Sequence, residues 1–295
     1  MRALAALCLV LAVGAQGCRC EKEPRPVPRA EAAATAPAPA PAPEGAAVLV
    51  GSRGPVELQR GNAPWSPVAT GARLGESDAL RTPPDGEAEL SVDGVRLKLH
   101  DRSEVRLTAA SSGLLRARVR GRIESAVEDG KGRIALQVED GPTAESTGGH
   151  FFLTAEGTNV AVAATSGTVR VAANGKTVDV QQGHLTRVAK SGGLEQPTAA
   201  LRRVLLAVEW PGDKTNRSSI PLSGRVLSGS RVYVQGQAVE VAPSGEFHTE
   251  VRLHDGRQKI AVVTVDPFGR RKAGESQITR DQSVPEVRVG SPWKR

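Results

Sequence analysis

From Val48 onward the chain offers one kind of regular structure. Short runs of Val, Leu, Ile and Thr alternate with polar residues and are broken by Gly, Asp and Asn. That period of two suits strands with one buried face, and no stretch supports a long helix. The clearest instance is Glu87-Ala88-Glu89-Leu90-Ser91-Val92, then Asp93-Gly94, then Val95-Arg96-Leu97-Lys98-Leu99-His100. A two-residue Asp-Gly loop asks for a type I′ turn, which sets Val92 opposite Val95, Leu90 opposite Leu97, Ala88 opposite Leu99 and Glu89 opposite Lys98. In that register the apolar side chains share one face and opposite charges meet on the other. By the same rule Asn174-Gly175 sets Val171 opposite Val178 and Arg170 opposite Asp179. Asp129-Gly130, between residues 123–127 and 134–138, predicts a further hairpin.

The expected fold class is therefore all-β, with antiparallel sheet, and its stability must come from burial. All three cysteines, Cys8, Cys18 and Cys20, precede residue 21, so none can staple the later chain. Met1 and Arg2 lead into an apolar run over residues 3–13 and a small-residue exit, Gly14-Ala15-Gln16-Gly17-Cys18. That is the pattern of a secretory signal, too short to span a membrane. Two cuts are open, after Ala15 or after Gly17; the second resembles a bacterial lipoprotein signal, and Cys18 is the expected lipidation site. Arg19 follows the cysteine where inner-membrane retention would need Asp, so the resemblance implies an outer-membrane anchor. Several acyl chains on Cys18 would hold firmly, at about 0.8 kcal/mol per buried methylene. The alternating Ala-Pro stretch over 36–43 favours polyproline II, a spacer of at most about 70 Å between membrane and folded chain.

Further along, Gly54-Pro55-Val56, Gly71, Leu74-Gly75, Asp78, Leu80-Arg81-Thr82, Ala88-Glu89-Leu90 and Asp93-Gly94 resemble the opening half of a FecR-like domain. Gly121-Arg122-Ile123, Thr143, Gly149-His150-Phe151-Phe152, residues 166–171 and Gly183 resemble its second half, with His150 standing where that family usually has Thr. FecR-like proteins are best known for carrying signals across the inner membrane to a sigma factor; only the periplasmic module of that family is matched here. After residue 204, about seven short runs separated by turns argue an immunoglobulin-like sandwich. Their order is similar to bacterial Ig-like modules of the glucodextranase B type, with Gln235-Gly236 where Asn-Gly is common. The expected organisation is signal peptide 1–17, Ala/Pro-rich linker 18–47, FecR-like β-domain 48–190, interdomain linker 191–203, Ig-like sandwich 204–283 and basic tail 284–295. The stretch 198–205 has room for a turn or two of helix.

Chemistry is sparse. His100, His150, His184, His248 and His254 are scattered without HExxH, CxxC or a calcium-loop spacing, and most read as exposed strand or turn residues. No nucleophile elbow or phosphate loop occurs. Glu87 and Glu89 share a strand face, but Lys98 and His100 account for them without glycosidase chemistry. No catalytic, metal or cofactor residue is expected, and the chain reads as non-enzymatic.

One feature stands out. Arg116, Arg118, Arg120 and Arg122 fall two apart in Leu115-Arg116-Ala117-Arg118-Val119-Arg120-Gly121-Arg122-Ile123. A strand places all four guanidinium groups on one face, suited to phosphate or carboxylate. The plain alternative is a solvated face balanced by acidic neighbours such as Glu124 and Glu128 or those across the sheet. Net charge is +7 overall, with sixteen basic against ten acidic residues after position 200. Part of that excess is Arg270-Arg271-Lys272 and Lys294-Arg295. With 3% aromatic residues, stacking platforms for single-stranded nucleic acid are poorly supplied. An exported basic protein is expected to meet peptidoglycan, lipopolysaccharide or an envelope protein, and no nucleic acid. The alternative role is a periplasmic sensing protein of FecR-type signalling.

Overall fold

The computed structural model describes residues 47–282 apart from 112, 140, 158 and 189–192, and every regular element in it is a strand. The expected signal peptide with Cys8, residues 18–46 of the expected linker with Cys18 and Cys20, and the tail 284–295 lie outside the described residues, whereas Ala47 already belongs to strand Ala47–Arg53.

The hairpin around Asp93-Gly94 forms in the expected register, with Leu90 opposite Leu97, Ala88 opposite Leu99 and Glu89 opposite Lys98. Leu90, Leu97 and Leu99 are fully buried, each contributing about 1.5–3 kcal/mol of hydrophobic stabilisation. The turn type differs from expectation. Gly94 takes a positive φ of 78° but Asp93 does not, so the turn is not type I′. Asn174 and Gly175 do both take positive φ, 47° and 73°, and pair Val171 with Val178 and Arg170 with Asp179 as expected. Gln235-Gly236 also adopts the left-handed pair, 52° and 79°, so Gln serves where Asn is usual.

Asp129-Gly130 does not make a hairpin. Strand Arg133–Val138 instead runs parallel to the start of strand Leu114–Val127, with Ile134 beside Leu115 and Val138 beside Val119. Parallel neighbours normally need a long crossover, yet only residues 128–132 separate these strands. The second half of Leu114–Val127 supplies the return path. Residues 114–120 pair with strand Ser103–Ser111, whereas residues 121–127 pair with Gly149–Glu156 in a different sheet. The strand turns this corner at Gly121, whose φ is 87° and whose missing Cβ would lie 2.6 Å from the Arg102 carbonyl oxygen and the Ser103 Cα. Only glycine fits there. Strand Asn159–Ala173 likewise belongs to both sheets, pairing with Gly149–Glu156 early and with Lys176–Gln181 late.

The result is an N-terminal module of two sheets linked through two bent strands, around one continuous core from Ala47 to Val180. Strand Thr198–Ala199 adds an extended edge by pairing with His184 and Leu185, so the stretch 198–205, which has room for a helical turn, begins as strand and holds no helix. A C-terminal module follows. Leu206–Glu209, Ser219–Val226 and Glu246–Arg252 form one sheet; Lys214–Thr215, Arg271–Arg280, Gly256–Val265, Arg231–Val234 and Gln237–Val239 form the other. A separate core between them centres on Leu222, Phe247, Ile260, Val262 and Ile278. Both modules fall within one compact unit.

Candidate functional site

The four-arginine row divides at the Gly121 corner. Arg116, Arg118 and Arg120 alternate with buried Leu115, Ala117 and Val119 and are exposed. None of the three makes an ion pair among the described residues, and the like charge opposite Arg118, Arg106, turns away to Gln59 Oε1 at 2.6 Å and to the Ser77 carbonyl. Arg122 departs from this surface. Beyond the corner the same strand face is covered by the C-terminal module, and Arg122 is only 2% exposed. Of the acids expected to balance the row, Glu128 meets Lys131 and Glu124 meets two histidines, while Glu104, across the sheet, lies opposite Arg120 without an ion pair to it.

The modules meet through polar groups held by strands. Arg231 on Arg231–Val234 is 5% exposed and reaches across to Asp101, with Nη1 donating to Oδ1 and to the carbonyl at 2.9 Å each. Its Nε donates to Glu156. Tyr233, two residues on and therefore on the same strand face, donates its hydroxyl to Asp101 at 3.0 Å. Burial alone would lower Arg231, but the charges of Glu156, Tyr233 and Asp101 outweigh it and raise its pKa. Burial also raises Tyr233. Asn159 Nδ2 donates to the Val241 carbonyl at 3.0 Å, further along the same seam.

Arg122 sits beside this network without sharing it. Its main chain is pinned by Ser103, whose hydroxyl accepts from the Arg122 N–H at 2.9 Å and donates to the Arg122 carbonyl at 3.0 Å. The guanidinium lies over the Phe152 ring at 4.9 Å, and Nη2 donates to the Asp266 carbonyl at 2.9 Å. Nε and Nη1 have no acceptor among the described residues. The nearby Asp266 carboxylate is committed to its own turn, accepting from Arg270 Nε at 2.8 Å and from the amides of Phe268 and Arg270. Desolvation, reinforced by Arg231, lowers Arg122 to about 10. A buried cation with two unmet donors is an unfavourable arrangement.

His100 and His150 flank Glu124, with Nε2 of each 3.2 and 2.9 Å from its two carboxylate oxygens. Both are half-buried, in contrast to the exposed role read from sequence, and both pack near Phe152. The hydrogen bonds from His100 and then His150 hold the Glu124 carboxyl well below the usual range, against the opposing effect of burial.

These groups border a cleft of about 550 Å³ between the modules, lined by Arg122, Phe152 and Glu124 on one side and by Tyr233, Val263 and Val265 on the other. That volume lies in the range of small-molecule sites, roughly 300–1,000 Å³. Sequence reasoning missed the cleft, although one signal was present. Residues 260–265, Ile-Ala-Val-Val-Thr-Val, do not alternate, and Ala261, Val263 and Val265 lie on the outer face of a sheet that would otherwise be polar. Of the basic run Arg270-Arg271-Lys272, Arg270 is spent on Asp266, whereas Arg271 lines the cleft.

No family model and no curated protein matches the chain. Among solved structures, a candidate anti-sigma factor from Parabacteroides distasonis is similar at 15% identity and a TM-score of 0.37, over 41% of this chain and 59% of that one. Fibronectin(III)-like modules of Clostridium thermocellum CbhA are similar at 11% identity and a TM-score of 0.22, over 65% of this chain and 99% of theirs. The chain spans less than two thirds of the first neighbour's length.

Proposed function

We propose that the chain is an exported, non-enzymatic binding protein of the cell envelope, whose outward arginine row grips an anionic polymer. The secretory signal, a lipid on Cys18 and the Ala/Pro spacer would hold it at the outer membrane. The observation that carries the binding role is the placement of Arg116, Arg118 and Arg120, exposed on one strand face and free of ion pairs among the described residues. Residues two apart on a strand recur about every 6.6 Å, which offers repeated guanidinium contacts to a chain of carboxylates or phosphates. The resemblance to FecR-like and Ig-like modules supports a recognition role. A second reading, a periplasmic sensing protein, is favoured by the cleft.

The test is retention of the purified protein on peptidoglycan sacculi or on immobilised lipopolysaccharide at low salt. Wild type should be retained and should elute with salt, and the Arg116→Gln, Arg118→Gln, Arg120→Gln triple variant should pass through with an unchanged Tm. Failure of wild type to bind either polymer, or equal retention of the triple variant, rejects the reading.

A further inference from the structure

We propose that the cleft between the modules binds a small monocarboxylate with an apolar body, and that Arg122 is the group that receives its carboxylate. This goes beyond the arginine row, which lies on a different surface. Three observations converge. Arg122 is 2% exposed, lines the cleft, and has two guanidinium nitrogens that donate to nothing. The acids around it are otherwise engaged: Glu124 by His100 and His150, Asp101 by Arg231 and Tyr233, Asp266 by Arg270. The opposite wall carries Ala261, Val263 and Val265, half-buried on an outer sheet face, where an apolar body would displace water.

The charge of the ligand follows from the same inventory. Asp85, Glu87, Asp101 and Glu124 line the cleft together with Arg53, Arg122, Arg231 and Arg271, so its charges balance and a phosphate dianion would bring more uncompensated negative charge than a monoanion. A single carboxylate satisfies the guanidinium with less of it. The two unmet nitrogens are closed to solvent, so the carboxylate is admitted by a shift at the turn over residues 266–270. That turn covers Arg122 through the Asp266 carbonyl and comes close to the Phe152 ring at Gly269.

Titration calorimetry on the whole chain tests this with N-acetyl-leucine, its neutral isostere N-acetyl-leucinamide, and inorganic phosphate. N-acetyl-leucine should bind with a Kd of about 1 mM or tighter, at least ~10-fold more tightly than the amide, a gap of about 1.4 kcal/mol. Phosphate should bind more weakly than N-acetyl-leucine. Arg122→Met should abolish the preference for the acid over the amide. Val263→Glu, which places a like charge on the facing wall without touching Arg122, should weaken the acid at least ~10-fold and separate lost binding from lost folding. Equal binding of acid and amide, tighter binding of phosphate, no binding of N-acetyl-leucine, or a preference that survives Arg122→Met would overturn the proposal. None of these results bears on retention by polymer.

Discussion

Arg122 and Arg231 are neighbouring buried arginines, 2% and 5% exposed, yet the structure predicts opposite consequences for losing them. Arg122 forfeits hydrogen bonds at Nε and Nη1; unmet buried donors cost about 1–3 kcal/mol each. Against this stand one charged hydrogen bond to the Asp266 carbonyl and a stacked contact with Phe152, about 1.5–3 kcal/mol and about 1–2 kcal/mol. The opposing effects nearly cancel. Arg122→Met, which keeps the apolar stem and removes the charge, should therefore change the unfolding free energy by about 1 kcal/mol or less in ligand-free protein. Arg231→Met instead strips Asp101 and Glu156 of their cation. Breaking a buried ion pair costs about 3–5 kcal/mol. Because the Asp101 and Glu156 side chains keep 23% and 40% exposure, solvent offsets part of this, leaving about 2–4 kcal/mol. Equilibrium urea unfolding followed by circular dichroism measures both. If Arg122→Met proves as damaging as Arg231→Met, Arg122 is a structural partner and the argument for an unspent guanidinium fails.

Other consequences are equally direct. Gly121→Ala puts a methyl group against the Arg102 and Ser103 backbone at a φ of 87°; it should cost more than about 2 kcal/mol, and a near-wild-type urea midpoint would contradict the corner described above. Glu124 has a lowered folded pKa, so its stabilisation is complete above the unfolded value of about 4.3 and is lost as pH falls through the lower folded value. Stability of wild type should thus fall more steeply below about pH 4 than that of Glu124→Gln, and parallel curves would count against the His100–Glu124–His150 contact. Ser103→Ala removes the hydroxyl that both accepts from and donates to the Arg122 main chain; a loss of about 1–3 kcal/mol is expected, and no change would mean the corner does not depend on that clasp.

What could be read from the sequence was local. The registers across Asp93-Gly94 and Asn174-Gly175 follow from two-residue turns and alternation, and both were found as expected. The parallel placement of residues 133–138 could not be read so, because it depends on one strand bending between sheets at Gly121, a position that sequence periodicity passes over. Arg122 continues the period-two row in sequence but not on the surface. The Asp266 carbonyl that covers it arrives 144 residues later, from another module. His100 and His150 are fifty residues apart in the chain and meet only because Glu124 sits on the strand between Val95–Leu99, which His100 follows, and Gly149–Glu156, which holds His150. Such a cluster has no linear spacing to betray it.

Charge on the outward sheet face is proposed to bind an anionic polymer. Its most direct test is the salt dependence of binding to purified lipopolysaccharide or solubilised peptidoglycan, measured for wild type and for single replacements of Arg116, Arg118 and Arg120 by Gln. The account predicts a log-log slope that is clearly negative for wild type and shallower by roughly one unit for each arginine that contacts a polymer charge. A slope near zero, or one that all three replacements leave unchanged, would contradict it.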